Sequence, residues 1–426
     1  MAGKLTGNAI EDGTIVSSLL DSELSNSVGF IKVSSIVYPS GSSVSAAGND
    51  VIELVGSGFD SNANVYINYT LVSNITVTNS SSISVTTPAQ NAGIYLIQVR
   101  NPNGESIDVV PGITYSVPLS PEQGTVSGYT SGGTAPPPTA FLNTVDKFPF
   151  SSDSNATDVG NLTQGRYYVA GSSSSTHGYT TGGVIGFPLR TNVIDKFPFS
   201  SDSNASDVGN LSAISDRGIG ISGETSGYHA STRNPTSANR VDKYSFSSDG
   251  NASDALDLTV ARYAGGGHSS TSHGYASGGN LPTTNTIDKF PFASDTNATD
   301  VGDLTQARTS CAGGSSSSHG YTVGGFANPT VSNIIDKFPF ATDANATDVG
   351  DLDGFNNIPA TGHMNMATSN SGENGYVTGG ARTPGLSQSP AFNSSSIQKY
   401  SFATDSNVTG SNSLTQARQR CTGQSY

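Results

Sequence analysis

Six copies of one phrase organise most of this sequence, and the first copy reads Val145-Asp-Lys-Phe-Pro-Phe150. Their lysines stand at positions 147, 196, 243, 289, 337 and 399, so the spacing is 49, 47, 46, 48 and 62 residues. A period near 50 residues predicts a propeller, a solenoid or an array of modules. The other copies are Ile194-Asp-Lys-Phe-Pro-Phe199, Val241-Asp-Lys-Tyr-Ser-Phe246, Ile287-Asp-Lys-Phe-Pro-Phe292, Ile335-Asp-Lys-Phe-Pro-Phe340 and Ile397-Gln-Lys-Tyr-Ser-Phe402.

Each period contains four segments that are typical of β-strands. A Gly-Tyr-x-x-Gly-Gly run such as Gly178–Gly183 precedes the Asp-Lys-Phe segment. A segment that ends in Arg follows, as in Asp300–Arg308, and then one of small residues, as in Thr309–Ser315. Gly, Ser, Asn and Asp separate these segments, and no stretch has an apolar period of 3.6 residues. The sequence therefore predicts an all-β protein.

This order resembles the kelch repeat, in which a diglycine ends one strand, a Tyr-Asp-type strand follows and an Arg opens the next unit. The resemblance covers about residues 126–426 and departs from the family at one position. The chain has no Trp, and leucines occupy the region of the usual kelch Trp. These leucines are Leu162, Leu211, Leu258, Leu304, Leu352 and Leu414.

The two ends of the repeat region are complementary. It opens partway through a unit at Ser127–Gly133, and the sequence ends partway through another at Gln416–Tyr426. A strand from the C-terminus would complete the first blade and remove exposed sheet edges. We therefore expect residues 119–426 to form a six-bladed kelch-like β-propeller closed by the C-terminal strand.

Residues 33–118 follow a different pattern, with alternating strands and Gly, Pro and Asn turns. Val51–Phe59 ends in a Gly-x-Gly-Phe turn, Ser82–Pro88 holds an Ile-x-Val-x-x-Pro strand, and Gly93–Gly104 ends in Asn-Pro-Asn-Gly. With the opening at Ser35–Gly41 and the closing Tyr115, the segment resembles an IPT/TIG immunoglobulin-like domain. The resemblance implies a β-sandwich that serves as a spacer or interaction module.

Residues 1–32 have too few apolar residues to build a core. The stretch Leu5–Leu24 resembles the leading segments of phage fibre and spike proteins, which use an Ile-x-x-Gly-Thr-Ile phrase followed by leucines. Such a segment becomes ordered when it binds a partner. We expect an N-terminal anchoring arm, with a terminus of no specific role as the alternative.

Composition limits the classes of partner. The formal net charge is -14 and only 12% of residues are charged, which disfavours nucleic acid and anionic membrane surfaces. No apolar run is long enough to span a bilayer, and the N-terminus lacks the apolar core of a secretory signal. We therefore expect no nucleic acid partner, no membrane insertion and synthesis in a host cytoplasm.

The two cysteines indicate the same compartment. Cys311 and Cys421 each lie three residues after an Arg, Arg308 and Arg418, and so hold equivalent positions in two repeats. In a six-fold propeller they would lie two blades apart, more than about 7 Å between Cα atoms, which is too far for a disulfide. We expect two buried free thiols in a protein that folds in a reducing environment.

The repeated Asp-x-Asn-Ala-Thr/Ser-Asp turns, such as Asp153–Asp158, resemble the start of a calcium loop or a glycan acceptor. They lack the Gly and the distal Glu of an EF-type loop, and Asn and Asp are common turn residues. We expect turns, with weak surface calcium sites as the alternative. His177, His273 and His319 fall in three different repeats, so we expect loop residues instead of one metal site.

No residue set indicates catalysis. A copper enzyme of the galactose oxidase type is the kelch precedent, and it needs a Tyr-Cys cross-link with further Tyr and His ligands. Here both cysteines occupy repeated positions, and there is no Ser/His/Asp set or isolated carboxylate pair. We expect no catalytic residues, no cofactor and no metal, and the sequence leaves the ligand-binding residues unknown.

Two further features motivate hypotheses. Neighbouring strand residues face opposite sides, so Asp195 and Lys196 would point toward different blades and contribute to a belt of inter-blade ion pairs. The longest departure from the period holds the extra segments 354–366 and 382–392, with Met364 and Met366. Asymmetric loops on a repeated scaffold are typical of binding surfaces, and a drifted blade without a ligand is the alternative.

Arm, sandwich and propeller together correspond to an anchor, a stalk and a head. Their order resembles phage fibre or decoration proteins of the marine cyanophage type. We therefore expect a non-enzymatic virion structural protein, a tail fibre or capsid decoration, whose arm binds other virion proteins and whose propeller binds a host-surface glycan. Homo-oligomer formation is left open. The alternatives are a bacterial extracellular adhesin and a carbohydrate-active kelch enzyme.

Overall fold

The computed structural model describes residues 31–39, 43–46, 48–90, 93–116, 120–135, 140–233, 237–352, 362–382 and 392–426. The chain forms two compact units that divide between Pro118 and Leu119. Regular structure in the described ranges is entirely β-strand, without a helix, which confirms the all-β prediction. The expected arm, residues 1–32, lies outside the described residues except for Ile31 and Lys32.

The first unit is an immunoglobulin-like β-sandwich. Its strands are β1 (Lys32–Val37), β2 (Val44–Ser45), β3 (Val51–Ser57), β4 (Asn64–Ile67), β5 (Thr70–Leu71), β6 (Ile75–Asn79), β7 (Ser82–Thr86), β8 (Gly93–Arg100) and β9 (Ser106–Ser116). They form two sheets of order β1-β3-β7-β6 and β2-β9-β8-β4-β5. Along β3, Ile52 and Leu54 are buried while Val51 and Glu53 are exposed. This alternation directs one face of each sheet into a shared apolar core.

Asn101 joins two of the sequence marks of this unit. Its side-chain Oδ1 accepts a hydrogen bond from the Asp60 amide at 3.0 Å, and its Nδ2 donates to the Gly58 carbonyl at 2.8 Å. Gly58 adopts the left-handed conformation, with φ of 74°. The asparagine of the Asn-Pro-Asn-Gly phrase therefore holds the Gly-x-Gly-Phe turn, and the turn places Phe59 in the core.

The second unit repeats a four-stranded antiparallel sheet six times. Sheet 1 has the order β39 (Thr422–Ser425), β11 (Ser127–Ser131), β12 (Thr144–Pro149) and β13 (Thr157–Asn161). Sheet 2 has the order β14 (Ala170–Ser173), β15 (His177–Thr181), β18 (Val193–Pro198) and β19 (Ser206–Asn210). Sheet 3 has the order β20 (Ile219–Ser222), β21 (Ser226–Arg233), β22 (Ser237–Ser245) and β23 (Ser253–Asp257). Sheet 4 has the order β24 (Gly266–Ser269), β25 (His273–Ser277), β26 (Thr286–Pro291) and β27 (Thr299–Asp303). Sheet 5 has the order β28 (Ala312–Ser315), β29 (His319–Val323), β32 (Ile334–Pro339) and β33 (Thr347–Asp351). Sheet 6 has the order β34 (Ala367–Ser371), β35 (Asn374–Thr378), β37 (Phe392–Ser401) and β38 (Thr409–Arg418).

Short strands supplement these sheets. A two-residue strand, β10 (Gln123–Gly124), pairs parallel with β34, and β36 (Ala381–Arg382) pairs with β37. Two hairpins lie between the second and third strands of sheets 2 and 5. They are formed by β16 (Val184–Gly186) with β17 (Leu189–Arg190), and by β30 (Phe326–Ala327) with β31 (Thr330–Val331).

The first strand of each sheet, here called the inner strand, packs against the inner strands of two other sheets. The order of contact is β39, β14, β20, β24, β28 and β34, and β34 also contacts β39. β39 lies near the end of the sequence and pairs antiparallel with β11, with Gln424 opposite Tyr129. Sheet 1 therefore combines the two ends of the repeat region.

Aromatic contacts connect consecutive sheets. Tyr179 of sheet 2 stacks on Phe246 of sheet 3, with 4.8 Å between ring centroids. A Cβ on the preceding residue, Gly178, would overlap the ring of Phe197, so this position requires glycine. The same tyrosine contact recurs at every junction, including the one from sheet 6 to sheet 1. The tyrosines are Tyr129, Tyr179, Tyr228, Tyr275, Tyr321 and Tyr376.

The repeated lysines form ion pairs with the next sheet, at N–O distances of 2.7 to 3.0 Å. Each lysine lies in the third strand of one sheet, and its partner lies in the turn after the third strand of the following sheet. This arrangement confirms the lysine half of the belt hypothesis. The pairs are Lys147–Asp202, Lys196–Asp249, Lys243–Asp295, Lys289–Asp343, Lys337–Asp405 and Lys399–Asp153.

The aspartates beside these lysines behave differently from the hypothesis. Asp195 is fully buried and pairs with the buried Arg166 at 2.8 Å. It also accepts hydrogen bonds from the amide and hydroxyl of Thr163, at 3.0 and 2.7 Å. Thr163 and Arg166 belong to the connection that leads into sheet 2. The aspartate therefore holds the entering chain and is not part of the exposed belt.

Three more sheets contain the same buried pair, Arg262–Asp288, Arg308–Asp336 and Arg418–Asp146. Arg308 lies in the connection between β27 and β28, and from there its side chain reaches Asp336. The strand that was predicted to end at this arginine stops at Asp303 instead. Sheets 3 and 6 depart from the pattern. Sheet 3 has Ser215 at the Arg position and Asp242 pairs with Arg240 instead, while sheet 6 has His363 and Gln398. Each departure keeps the site balanced in charge, as burial requires.

Candidate functional site

A left-handed residue precedes every inner strand by two positions. The six residues have φ between 55° and 60°, a conformation that non-glycine residues rarely adopt. Because these six positions hold five different residue types, the set gives the repeated unit a variable surface. In order of sheets 1 to 6, the residues are Arg420, Tyr168, Arg217, Ala264, Ser310 and Asn365.

Backbone hydrogen bonds join these residues into one circuit, here called the entry circuit. The Arg217 amide donates to the Tyr168 carbonyl at 2.9 Å, and the Ala264 amide donates to the Arg217 carbonyl at 2.8 Å. The pattern continues through the other sheets until the Tyr168 amide donates to the Arg420 carbonyl at 2.9 Å. Each residue gives and receives one bond, which fixes the backbone from which the side chains project.

One half of the entry circuit carries an Arg-Tyr-Arg cluster, formed by Arg420, Tyr168 and Arg217. The Cζ atom of Arg217 lies 3.9 Å from the centroid of the Tyr168 ring, and that of Arg420 lies 4.7 Å from it. At these distances both guanidinium groups interact with the electron-rich ring. The other half carries only small or neutral side chains, so the charged and aromatic side chains are confined to one half of the circuit.

Further aromatic and basic side chains border the cluster. Phe141 stacks on Tyr167, with 5.2 Å between centroids, and remains 39% exposed. Arg420 lies 5.6 Å from the centroid of Tyr167. On the other side, Arg217 and Arg233 each lie 5.5 Å from the ring of Tyr263. The cluster is thus the centre of a basic and aromatic surface.

The charge of this surface is not balanced within the described residues. Arg217, Arg233 and Arg420 have no carboxylate within 4.0 Å there, whereas the six repeated lysines and Arg166, Arg190, Arg240, Arg262, Arg308 and Arg418 form ion pairs. The Nε atoms of Arg217 and Arg420 are buried and have no hydrogen-bond partner in the described ranges. The same holds for the Nε atoms of paired arginines such as Arg166 and Arg308, so the feature that distinguishes the cluster is its missing carboxylate.

A cavity of about 120 Å³ extends from the cluster along the inner strands to Glu122. Five inner strands line it with a glycine and the sixth with Thr368. The Ser315 hydroxyl donates to the Glu122 carboxylate at 2.8 Å. Burial raises the pKa of Glu122 to about 8, although hydrogen bonds from Ser315 and Ser269 oppose the shift. The cavity therefore has basic groups at one end and a largely protonated acid at the other near neutral pH.

The histidines that the sequence singled out lie in three different sheets. The Nδ1 atoms of His177, His273 and His319 lie 2.8 Å from the hydroxyl oxygen of the preceding residue. Burial and a nearby lysine lower the pKa of each. In the described ranges no group of three or more His, Cys, Asp and Glu side chains is arranged to hold a metal ion. The structure brings none of the three together.

Two buried histidines were missed by the sequence reasoning. His229 contacts the hydroxyls of Thr181 and Ser215 at 2.8 and 2.7 Å. His268 contacts the Ser277 hydroxyl at 2.8 Å and the Gly314 carbonyl at 3.0 Å. Burial lowers the pKa of both side chains to about 4. Both are neutral hydrogen-bonding groups inside the fold at physiological pH.

The Asp-x-Asn turns act as connectors between sheets. Asp202, the first residue of one turn, accepts the ion pair from Lys147. Asn204 accepts a hydrogen bond from the Asn161 amide of sheet 1 at 2.9 Å, and the Ala205 amide donates to the Asn161 carbonyl at 2.8 Å. The asparagine bond recurs at all six junctions, through Asn155, Asn204, Asn251, Asn297, Asn345 and Asn407. The turn interpretation accounts for these residues without an ion.

The two cysteines and Met366 are buried in the repeat unit. Cys311 and Cys421 are free and buried, as predicted, and each immediately precedes an inner strand. Burial raises the pKa of the Cys421 thiol to about 11, so it is not an activated nucleophile. Met366 is buried in an apolar cluster, contrary to a role on an adaptable contact surface. Residues 354–361 and 383–391 of the extra segments lie outside the described residues.

The sequence reasoning did not identify the Arg-Tyr-Arg cluster, although a signal was present. With the repeats aligned on the Gly-Tyr phrase, the position two residues before the inner strand reads Tyr, Arg, Ala, Ser, Asn and Arg. The position that follows it varies less in character, because it holds only small or apolar residues: Val169, Gly218, Gly265, Cys311, Met366 and Cys421. A position that varies inside a repeated frame is where a repeat protein differentiates its surface.

Residues 32–117 match the IPT/TIG domain family, which confirms the identification made from the turn and strand marks of the first unit. No curated protein matches the chain. Among the described residues, no helix has the length and apolar character needed to cross a membrane.

Proposed function

We propose that residues 119–426 form a closed, six-bladed kelch-like propeller in which each sheet is one blade. The proposal is supported by the order of inner-strand contacts, which returns from β34 to β39. It is also supported by the tyrosine, lysine and asparagine contacts that recur at all six junctions, including sheet 6 to sheet 1. Ring closure would give every sheet two neighbours and would leave only short, protected sheet edges.

Removing residues 417–426 tests this closure. A closed propeller should lose cooperative unfolding across all six sheets, because sheet 1 would lose β39 and its pairing with β11. A synthetic peptide of residues 417–426 added to the truncated protein should restore the transition. Unchanged stability after truncation would contradict closure.

We propose further that the protein is a non-enzymatic bacteriophage virion structural protein, a tail fibre or a capsid decoration. The observation that carries this proposal is that the repeated polar residues and the variable ones have different roles. The repeated Asp, Lys and Asn residues connect sheets or hold incoming chain, while the variable side chains gather on the entry circuit. A rigid scaffold with one differentiated surface suits display and recognition better than turnover.

In this proposal the parts have separate tasks. Residues 1–32 anchor the chain to other virion proteins, the IPT/TIG domain is the spacer, and the propeller contacts a glycan on the host surface. Catalysis has no assigned residues. The protein would be synthesised in the host cytoplasm and would function on the particle.

Peptide mass spectrometry across a density gradient of infected-cell lysate tests the proposal. We expect peptides of this chain to band with DNA-filled particles. Many copies per shell protein would favour a capsid decoration, and few would favour a tail fibre. Absence from the particle band would contradict the virion assignment and favour a bacterial adhesin, while turnover of oligosaccharides by the purified protein would favour a carbohydrate-active enzyme.

A further inference from the structure

We propose that the Arg-Tyr-Arg cluster, together with Arg233, binds the carboxylate or phosphate group of an acidic saccharide. The inference deepens the proposed function by naming the ligand class, and it rests on that function only for the claim that the saccharide belongs to a host surface. Ligand binding itself follows from the chemistry of the site.

The first argument is the distribution of charge. The chain has a formal net charge of -14, yet Arg217, Arg233 and Arg420 lie against the rings of Tyr168 and Tyr263 without a carboxylate in range among the described residues. The parts of this unit outside the described ranges contain a single acidic residue, Asp353. A local excess of positive charge on an acidic protein attracts a small anion.

The second argument is preorganisation. The entry circuit fixes the backbone of Arg217, Tyr168 and Arg420, and the Tyr168 ring holds both guanidinium groups. Arginine recognises carboxylate and phosphate through paired N–H donors. A site whose groups are already held in place loses less entropy when it binds.

The third argument concerns the part of the ligand that carries the anion. Phe141, which is 39% exposed, stacks on the buried Tyr167 beside Arg420, and Ser310 and Asn365 supply neutral polar groups on the same circuit. The cavity of about 120 Å³ is smaller than the roughly 300–1,000 Å³ typical of sites for drug-sized ligands. Only the anionic group would enter it, and the sugar ring would contact the aromatic surface.

The experiment uses the full chain with D-glucuronate, D-glucose 6-phosphate and neutral D-glucose as probes, in calorimetric titration and ligand-observed NMR at low ionic strength. We expect at least one charged probe to bind about tenfold or more tightly than glucose. Glucuronate alone would indicate a carboxylate ligand, and glucose 6-phosphate alone a phosphate ligand. Equal binding of all three probes, or binding of none by the wild-type protein, would overturn the proposal.

Variants connect binding to the cluster. The double variant Arg217→Gln, Arg420→Gln should weaken binding of the charged probe by about tenfold or more, since both charged donors are lost. Arg100→Gln removes one positive charge from an exposed position in the first unit; it is the matched control for Arg420→Gln alone and should bind like the wild type. Retained affinity in the double variant would overturn the proposal. If that variant does not fold, Arg420→Gln alone replaces it, with the same expected direction.

Two further outcomes separate rival explanations. Binding that appears only in an Asp353→Asn variant would show that the cluster pairs with the chain's own carboxylate, and it would overturn the proposal. Because the probes bind the purified chain, the result is independent of particle association. Probe binding without particle banding would retain this inference and contradict the virion assignment, and the reverse result would retain only the virion assignment.

Discussion

The interiors of the two units differ in how their buried residues are organised. The sandwich has one continuous core of Ile, Val, Leu, Phe, Tyr and Ala side chains drawn from both sheets. The repeat unit divides its described apolar residues into six small clusters, one at each junction of neighbouring sheets. Between them it buries ion pairs such as Arg166–Asp195 completely. The comparison shows that one chain can reach stable β structure through a shared apolar face or through many repeated, partner-specific contacts.

The largest expected effect comes from breaking a buried ion pair in the repeat unit. Arg308→Gln leaves the Asp336 carboxylate without its cation and should lower the free energy of unfolding by about 3–5 kcal/mol. Urea denaturation measures the loss. The double variant Arg308→His, Asp336→Gln copies the residues of sheet 6 and should lose less than the single variant. Equal losses would show that charge balance is not what stabilises this position.

A comparable loss of stability, caused by the loss of apolar contacts alone, is expected in the sandwich. Leu54→Ala removes a fully buried side chain from its single core and should lower the free energy of unfolding by about 2–5 kcal/mol. The neighbouring Val51 is 53% exposed, so Val51→Ala is the matched control and should change stability by about 0.5 kcal/mol or less. Similar effects of the two substitutions would contradict the alternating burial of β3.

Glu122 gives a smaller, pH-dependent effect. In the folded chain burial raises its pKa to about 8 from the usual 4.5, so the unfolded state ionises first as pH rises. Stability should therefore fall between about pH 4.5 and pH 8 because of this residue. At about 1.4 kcal/mol per pKa unit, Glu122→Gln should be more stable than the wild type at pH 8 by up to roughly 4 kcal/mol, and equal to it at pH 4.

Thermal melts across this range measure the difference. Glu224→Gln is the control, because Glu224 is exposed, and it should follow the wild type at every pH. A Glu122→Gln curve that stays parallel to the wild-type curve would show that the carboxyl group ionises normally in the folded protein.

The smallest effect is expected at the exposed ion pairs of the repeat unit. Lys289→Met removes the partner of Asp343, whose carboxylate side chain is 58% exposed, and should cost about 0–1 kcal/mol. A double-mutant cycle with Asp343→Asn isolates the pair from other effects of each substitution. A coupling energy as large as that of the buried Arg308–Asp336 pair would remove the distinction between the two kinds of ion pair.

Much of the fold could be predicted because the relevant signals are local. Strand alternation and turn residues identify the IPT/TIG domain, and the Gly-Tyr and Asp-Lys phrases identify four strands in each period. The role of Asp195 could not be predicted in the same way. Its partner Arg166 lies in the connection that enters the sheet, and a strand pattern does not show which connection folds over it.

The candidate site was less predictable for a related reason. Tyr168, Arg217 and Arg420 are distant in sequence and become neighbours only because the inner strands start side by side. Each residue taken alone is an ordinary polar or aromatic residue in a loop. Aligning the repeats would reveal the variable position, but the cation–π distances that define the cluster require coordinates.

The pairing of β11 with β39 has a consequence for the order in which the molecule is made. Residues 128 and 425 are partners across almost 300 positions of sequence, so this contact is among the most distant in the chain. At roughly 5–20 residues per second, a ribosome finishes β39 many seconds after β11 has emerged. During that interval the edge of β11 that receives β39 is unpaired and open to other chains. Until Ser425 has left the ribosome, sheet 1 therefore lacks its inner strand, and the nascent chain needs protection from aggregation at β11.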